Sequence, residues 1–124
     1  MKISVILLID DEAIVAKAVQ MVLKRAGLEV LVATSAAAAI EAWDARKDEI
    51  GLVITDWSLD SQTNGEQLLE RFRADRPDLK SILCSAYPLR DLLTNRNRTE
   101  GLDYFQKPIA SGELVAAVRR TLER

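Results

Sequence analysis

A few side chains in this sequence have the chemistry of a reactive site. Asp10 and Asp11 form an acidic pair, Asp56 is a third carboxylate, and Ser85 and Lys107 supply a hydroxyl and an ammonium group. The chain has no histidine and one cysteine, which excludes Ser-His-Asp catalysis, histidine-ligated zinc and an internal disulfide. Its scattered glycines form no G-x-G-x-x-G motif and no Walker A loop. Any chemistry must therefore come from carboxylates, hydroxyls and lysines.

The composition is that of one globular domain. The chain has 124 residues, of which 48% are apolar and 29% charged, as in folded domains of this size. A net charge of −2 disfavours broad electrostatic binding to nucleic acid. The longest apolar run, Val5–Ile9, is far shorter than the ~20 residues of a membrane span. We expect a single cytoplasmic domain over residues 1–124, with no membrane insertion and no direct contact with nucleic acid.

Strand and helix patterns alternate along the chain. Apolar runs rich in β-branched or aromatic residues predict strands, which cover residues 4–9, 29–33, 52–55, 80–84 and 104–106. Five helices are predicted between and after these strands. The first has Val15, Val19 and Leu23 on its apolar stripe and ends at Gly27, and the second is capped by Ser35. The third follows Gly65, the fourth is a weak helix over 90–98, and the fifth is capped by Ser111.

Five βα units with short links predict an α/β fold. Right-handed crossovers turn this pattern into a doubly wound, flavodoxin-like fold, a five-stranded parallel sheet with helices on both faces. Ligands of such folds bind at the carboxyl ends of the strands, near the point where the strand order reverses. The residues directly after each predicted strand are therefore the candidates for a site.

Carboxylates follow two of the predicted strands. Asp10 and Asp11 follow the first and Asp56 follows the third. Acids at a helix start commonly do no more than cap the helix. In this fold, however, the three carboxylates share one cleft, where two like charges about 4 Å apart repel by about 4 kcal/mol at an effective dielectric constant near 20. Lys107, after the fifth strand, offsets one charge. A divalent cation would offset the rest, and an all-oxygen donor set favours Mg²⁺, with Mn²⁺ as a second option.

These residues resemble the receiver domain of two-component response regulators over essentially the whole chain. The matching segments are Leu8-Ile9-Asp10-Asp11-Glu12, Val53-Ile54-Thr55-Asp56, Ser85-Ala86 and Tyr104-Phe105-Gln106-Lys107-Pro108. No single segment is specific, but their order and spacing together are. The resemblance implies the strand order 2-1-3-4-5.

The resemblance also implies a role for each site residue. Asp56 would accept a phosphoryl group from a phosphohistidine on a histidine kinase or a histidine phosphotransfer domain. Asp11 and Asp56 would bind the metal directly, Asp10 would bind it through water, and the Ser58 carbonyl would complete the protein ligands. Lys107, the Ser85 hydroxyl and the Ala86 amide would contact the phosphoryl oxygens, and charge stabilisation would dominate catalysis.

A conformational switch is implied as well. Phosphorylation would draw Ser85 inward and let Tyr104 rotate into the space, changing the face formed by the helix over 90–98, the fifth strand and the last helix. Homodimerisation through this face stays open. We expect no turnover beyond the domain's own phosphorylation and dephosphorylation, and therefore no enzyme. The domain would be a stand-alone relay protein or part of a hybrid sensor kinase.

The chain departs from the receiver pattern in one loop. Asp60 stands where receivers commonly have proline, and Asp56 to Gly65 spans one residue more than usual. This departure affects the expected metal ligand at Ser58 more than it affects Asp56.

Three alternative functions remain open. An aspartyl-phosphate phosphatase also uses strand-end aspartates and Mg²⁺, but such enzymes have Asp-x-Asp after the first strand, unlike Asp10-Asp11-Glu12. A module with the same fold that works unphosphorylated is disfavoured by the intact Asp11, Asp56 and Lys107. A generic flavodoxin-like binding protein is least favoured, because the sequence has no cofactor loop.

Overall fold

The computed structural model describes residues 5–59, 63–85, 102–107 and 110–123. The strands are β1 (Val5–Ile9), β2 (Glu29–Ala33), β3 (Ile50–Asp56), β4 (Lys80–Ser85) and β5 (Leu102–Gln106). The helices of this described part are α1 (Ala13–Arg25), α2 (Ala36–Arg46), α3 (Gly65–Asp75) and α4 (Ser111–Glu123). The helix predicted over 90–98 lies outside the described residues.

All five strands form one parallel sheet in the order β2-β1-β3-β4-β5. The predicted fold class and strand order are therefore confirmed. β3 occupies the centre and is longer than predicted, since it includes Ile50, Gly51 and Asp56. The order reverses between β1 and β3, so the carboxyl ends of these two strands form the crevice where parallel α/β sheets bind ligands.

Side chains of alternate residues in the buried strands pack into two separate cores, one on each face of the sheet. Leu7, Val53 and Leu83 pack on the α2 and α3 side, where Trp43 stacks on Phe72 with ring centroids 4.5 Å apart. Even-numbered strand residues form the other core with α1 and α4, namely Ile6, Leu8, Leu52, Ile54, Ile82 and Cys84. Because side chains alternate across a strand, a sheet buried on both faces needs the continuous apolar runs seen here.

Local signals set most of the helix ends. Gly27 has φ +89°, a left-handed conformation that ends α1 as predicted. The Ser35 hydroxyl accepts the Ala38 N–H at 3.0 Å and caps α2, also as predicted. Asn64 and Gln67 form a reciprocal capping box at the start of α3. The N-x-x-Q spacing could have revealed it.

Two expectations about the helices were wrong. Ser111 does not cap α4, because the helix begins at Ser111 itself and its first bond runs from the Leu114 N–H to the Ala110 carbonyl. Val15 does not face the core: it is 37% exposed, whereas its neighbour Ala16 is fully buried with Leu23. Val19 and Leu23, the other two residues of the predicted stripe, do pack on this core, so Val15 lies at the edge of the stripe and Ala16 takes its place.

Candidate functional site

Strand register brings the predicted acids together. Ile9 in β1 pairs with Thr55 in β3, so Asp10 and Asp56, one position further along each strand, emerge side by side. Asp11 follows directly. One carboxylate oxygen from each of the three aspartates lies within 4.8 Å of the others. Asp10 and Asp56 are buried and Asp11 is exposed, so the cluster sits at the rim of the sheet with one side open to solvent.

Lys107 carries the positive charge nearest to these acids among the described ion pairs. Its Nζ lies 2.7 Å from Asp56 Oδ1 and 3.5 Å from Asp10 Oδ2. Its backbone N–H donates to the Ser85 carbonyl at 2.7 Å, which ties the end of β5 to the end of β4. The lysine therefore reaches across β4 to the central strand from a fixed backbone position.

Burial sets the protonation of this pair. Removal from water raises the pKa of Asp56 to about 7; the Lys107 hydrogen bond opposes this shift and the negative charge of Asp10 adds to it. Burial also disfavours the charged form of Lys107, but its hydrogen bond to Asp56 and the two carboxylate charges outweigh burial and raise the Lys107 pKa. One ammonium group therefore does not fully neutralise the buried carboxylates.

The backbone of Asp56 is held by contacts that the sequence did not reveal. The Thr55 hydroxyl donates to the Asp56 carbonyl at 2.9 Å. A Cβ on Gly65 would lie 2.1 Å from that same carbonyl oxygen, so the first residue of α3 must be glycine for the helix to approach β3. On the next residue, the Trp57 N–H donates to the Cys84 carbonyl and the Trp57 carbonyl accepts the Gly65 N–H, both at 2.7 Å.

Asp10 has a second, local role. Its Oδ1 accepts the Glu12 N–H at 2.9 Å, while the Glu12 side chain makes no cap hydrogen bond at the start of α1. This is the Asx-turn arrangement of an aspartate whose oxygen bonds the backbone two residues later. It fixes one oxygen of Asp10 and leaves Oδ2 directed towards Lys107.

Other predicted residues surround the same cluster. A cavity of about 220 Å³ is lined by residues that include Asp11, Asp56, Ser58, Ser85 and Lys107. Ser85 is buried at the end of β4, and Ser58 is exposed. The cavity therefore collects a hydroxyl, an ammonium group and carboxylates from four strand ends.

Tyr104 and Cys84 lie on the neighbouring strands β5 and β4 and have different environments. Tyr104 on β5 is partly buried and packs against the α2 and α3 core. Burial raises the pKa of the Cys84 thiol to about 12, and the charge of Asp56 adds to this shift. This shift and the burial of Cys84 indicate an unreactive core thiol, because the thiolate is the reactive form.

Ala86, Asp60 and Pro108 lie outside the described residues. The contact of the Ala86 amide with the phosphoryl group and the place of Asp60 in the lengthened loop stay predictions.

The donor set fits a hard divalent cation. Three carboxylate oxygens close to one another, with no described nitrogen or sulfur ligand in the group, are the donors that Mg²⁺ and Mn²⁺ prefer. The buried, mutually repelling carboxylates would also be stabilised by the added positive charge. The residues that could hold the ion are Asp10, Asp11 and Asp56.

The comparisons with known proteins agree with this geometry. The family model of the response regulator receiver domain matches residues 6–119, so the chain belongs to this family, a signalling domain of two-component systems. The two-component response regulator PprB of Pseudomonas aeruginosa is 31% identical over 122 residues, which cover 96% of this chain and 44% of PprB. A receiver domain protein from Clostridium thermocellum superposes with a TM-score of 0.87 at 25% identity, covering 98% of this chain and 96% of that one.

Curated relatives are longer than this chain. Sensor kinase CckA of Brucella abortus, for example, is 27% identical over 119 residues, which cover 96% of this chain and 12% of the kinase. The chain thus spans less than half the length of either curated relative.

Within the described residues, no helix is long and apolar enough to cross a membrane. Family membership also decides against the phosphatase and the generic flavodoxin-like binding protein as alternatives.

Proposed function

We propose that this protein accepts a phosphoryl group on Asp56 from a phosphohistidine of a histidine kinase or a histidine phosphotransfer domain. The observation that carries the proposal is the Asp56 carboxylate at the end of the central strand. It is buried beside Asp10, with the Lys107 ammonium 2.7 Å away. Residues 1–124 would act as one receiver domain, and a cytoplasmic location belongs to the same proposal.

The transfer would exchange one bond to phosphorus for another. An oxygen of Asp56 attacks the phosphorus and forms an O–P bond, while the P–N bond breaks and its electron pair stays on the partner's imidazole, which takes up a proton. Asp56 must be ionised to attack. Because its pKa is about 7 in the metal-free protein, added positive charge beside it would raise the ionised fraction at neutral pH.

The other residues of the cluster would hold the charges in place. Asp10, Asp11, Asp56 and the Ser58 carbonyl would hold Mg²⁺, which supplies positive charge that offsets repulsion between the carboxylates and the incoming phosphoryl oxygens. Lys107 would transfer part of its ion pair from Asp56 to a phosphoryl oxygen. The Ser85 hydroxyl and the Ala86 amide would bond the remaining oxygens.

The output would come from movement of Ser85 and Tyr104. Ser85 precedes the segment that leads towards β5, and its carbonyl already bonds the Lys107 N–H. A shift of Ser85 towards the phosphoryl group would change the room available to Tyr104, which now packs against the core. We propose that this repacking presents a changed surface at β5 and α4 to a partner. The domain then carries a signal rather than turning over a substrate.

Intact-mass spectrometry after incubation with acetyl phosphate and Mg²⁺ tests the central step. We expect one phosphoryl adduct on the wild type, none on Asp56→Asn, and loss of the adduct when EDTA replaces Mg²⁺. Asp44→Asn, on the exposed side of α2, is the control and should label like the wild type. An unlabelled wild type, or a labelled Asp56→Asn, would contradict the proposal and favour a module that works unphosphorylated.

A further inference from the structure

A second cavity lies next to the acidic cluster, on the α1 and α4 face of the sheet. Its volume is about 300 Å³. Leu8 and Ile54 form its floor, Val15 and Val19 of α1 form one wall, and Leu114 of α4 forms the other. For comparison, an engineered apolar cavity of about 150 Å³ holds a benzene molecule. The space therefore suits an aromatic ring with a short aliphatic chain.

The cavity is apolar along its length and strongly charged at one end. Among the described lining residues, Asp10, Glu12, Asp56 and Lys107 lie at that end, and their formal charge is −2 when all three carboxyl groups are ionised. Small-molecule sites have this construction, with an apolar body and a few convergent polar groups that fix the orientation of the ligand. The cavity is accessible from solvent on the α1 side, where its lining residue Val15 is 37% exposed.

We propose that this cavity binds an amphipathic organic cation, with its apolar group between α1 and α4 and its ammonium or amidinium group at Asp10, Glu12 and Asp56. Charge complementarity selects the cation over a neutral or anionic molecule of the same shape. The head group lies beside Asp10 and Asp56, which are also two of the three carboxylates that could hold the divalent ion. The cation and the metal ion therefore compete for the site. A compound of this class thereby prevents metal-dependent chemistry at Asp56 without contacting the partner protein.

Three probes with one tail and different head groups test the site: 4-phenylbutylamine, 4-phenyl-1-butanol and 4-phenylbutyrate. Each is titrated into the full chain without metal and followed by isothermal calorimetry and by amide chemical shifts. We expect the amine to bind at least about tenfold more tightly than the carboxylate, with the alcohol between them, and Mg²⁺ to weaken the amine. Equal affinities, or no binding of the amine, would overturn the proposal.

Cavity-filling variants locate the binding. Val19→Phe places a larger side chain in the cavity and should weaken the amine at least about tenfold, whereas Met21→Phe, exposed on α1 outside the cavity lining, should leave it unchanged. Thermal unfolding shows whether both variants are folded. If Val19→Phe does not fold, Leu8→Phe replaces it. Binding that survives the filling of the cavity would refute the site.

This inference stands apart from the phosphoryl-transfer proposal. Labelling of Asp56 by acetyl phosphate is measured without any amine, so an unlabelled domain that binds the amine refutes only the first proposal. A domain that is labelled but does not bind the amine refutes only the proposal of the cation site. If both proposals hold, the amine should slow acetyl phosphate labelling of the wild type, and it should slow labelling of Val19→Phe less.

Discussion

The environment of Asp56 is unfavourable for its ionised side chain. The side chain is buried, lies beside Asp10 and is only partly compensated by Lys107. Functional groups are often found in such environments, because the same burial that costs stability makes a ligand or a reaction favourable. The cost should be measurable in the metal-free protein.

We therefore expect Asp56→Asn to stabilise the metal-free protein by about 1 kcal/mol or more at pH 8. The folded pKa of Asp56, about 7, lies above the ordinary value of 3.8, so the folded chain binds the proton more tightly. Stability from this group is fully present below about pH 4 and is lost as the pH rises to about 7. The asparagine variant has no such loss.

Urea unfolding in EDTA at about pH 4.5, 6 and 8 measures this difference. The gap between Asp56→Asn and the wild type should widen with pH, whereas Asp44→Asn, exposed on α2, should show no widening. Equal stability of the wild type and Asp56→Asn across this range would mean that burial and repulsion at Asp56 have no net effect.

At the scale of elements, the contact between α3 and β3 decides where Asp56 points. Gly65 begins α3 against the Asp56 carbonyl, and the Trp57 carbonyl accepts the Gly65 N–H. The loop from Trp57 to Gly65 is thus closed at its base by a hydrogen bond.

We expect Gly65→Ala to destabilise the protein by about 1–3 kcal/mol and to slow acetyl phosphate labelling, because the new Cβ displaces the Asp56 backbone. Gly112→Ala is the matched control, since a Cβ there meets nothing within 4 Å. It should be neutral or stabilise α4 by up to about 1 kcal/mol. Urea unfolding and labelling rates test both variants. A Gly65→Ala protein that unfolds and labels like the wild type would show that the approach of α3 is not restrictive.

At the scale of the whole molecule, the two tryptophans lie near opposite ends of the sheet, so their fluorescence can be used to monitor each end separately. Trp57 follows Asp56 directly, whereas Trp43 is fully buried and its Nε1 donates to Asp75 Oδ2 at 2.8 Å, at the far end of α3. An eleven-residue helix such as α3 is about 16.5 Å long. Gly65, at the start of α3, donates to the Trp57 carbonyl, so the site and the Trp43–Asp75 contact lie at opposite ends of this helix.

Mg²⁺ or beryllofluoride should therefore change the fluorescence of Trp57 and leave that of Trp43 nearly constant. Titrations of the wild type and of Trp43→Phe should show the same response, and Trp57→Phe should lose it. The emission spectrum after excitation of indole is the measurement. A response that persists in Trp57→Phe would place the change in the Trp43 region, and so outside the acidic cluster.

The sequence by itself determined the fold class, the strand order implied by the receiver resemblance, and the group of residues that could do chemistry. It could do so because buried parallel strands need continuous apolar runs, and because their carboxyl ends gather at one edge of the sheet. Asp10, Asp11, Asp56, Ser85 and Lys107 were found by this reasoning. Each follows or ends a strand.

Tertiary structure decided how these groups act on one another. The pairing of Ile9 with Thr55, the reach of Lys107 to two carboxylates, the raised pKa of Asp56 and the approach of Gly65 all join segments distant in the chain. Periodicity carries no information on register, on depth below the surface or on the space left between α1 and α4. These quantities arise only when the elements pack, because burial and distance belong to pairs of segments and not to either segment alone.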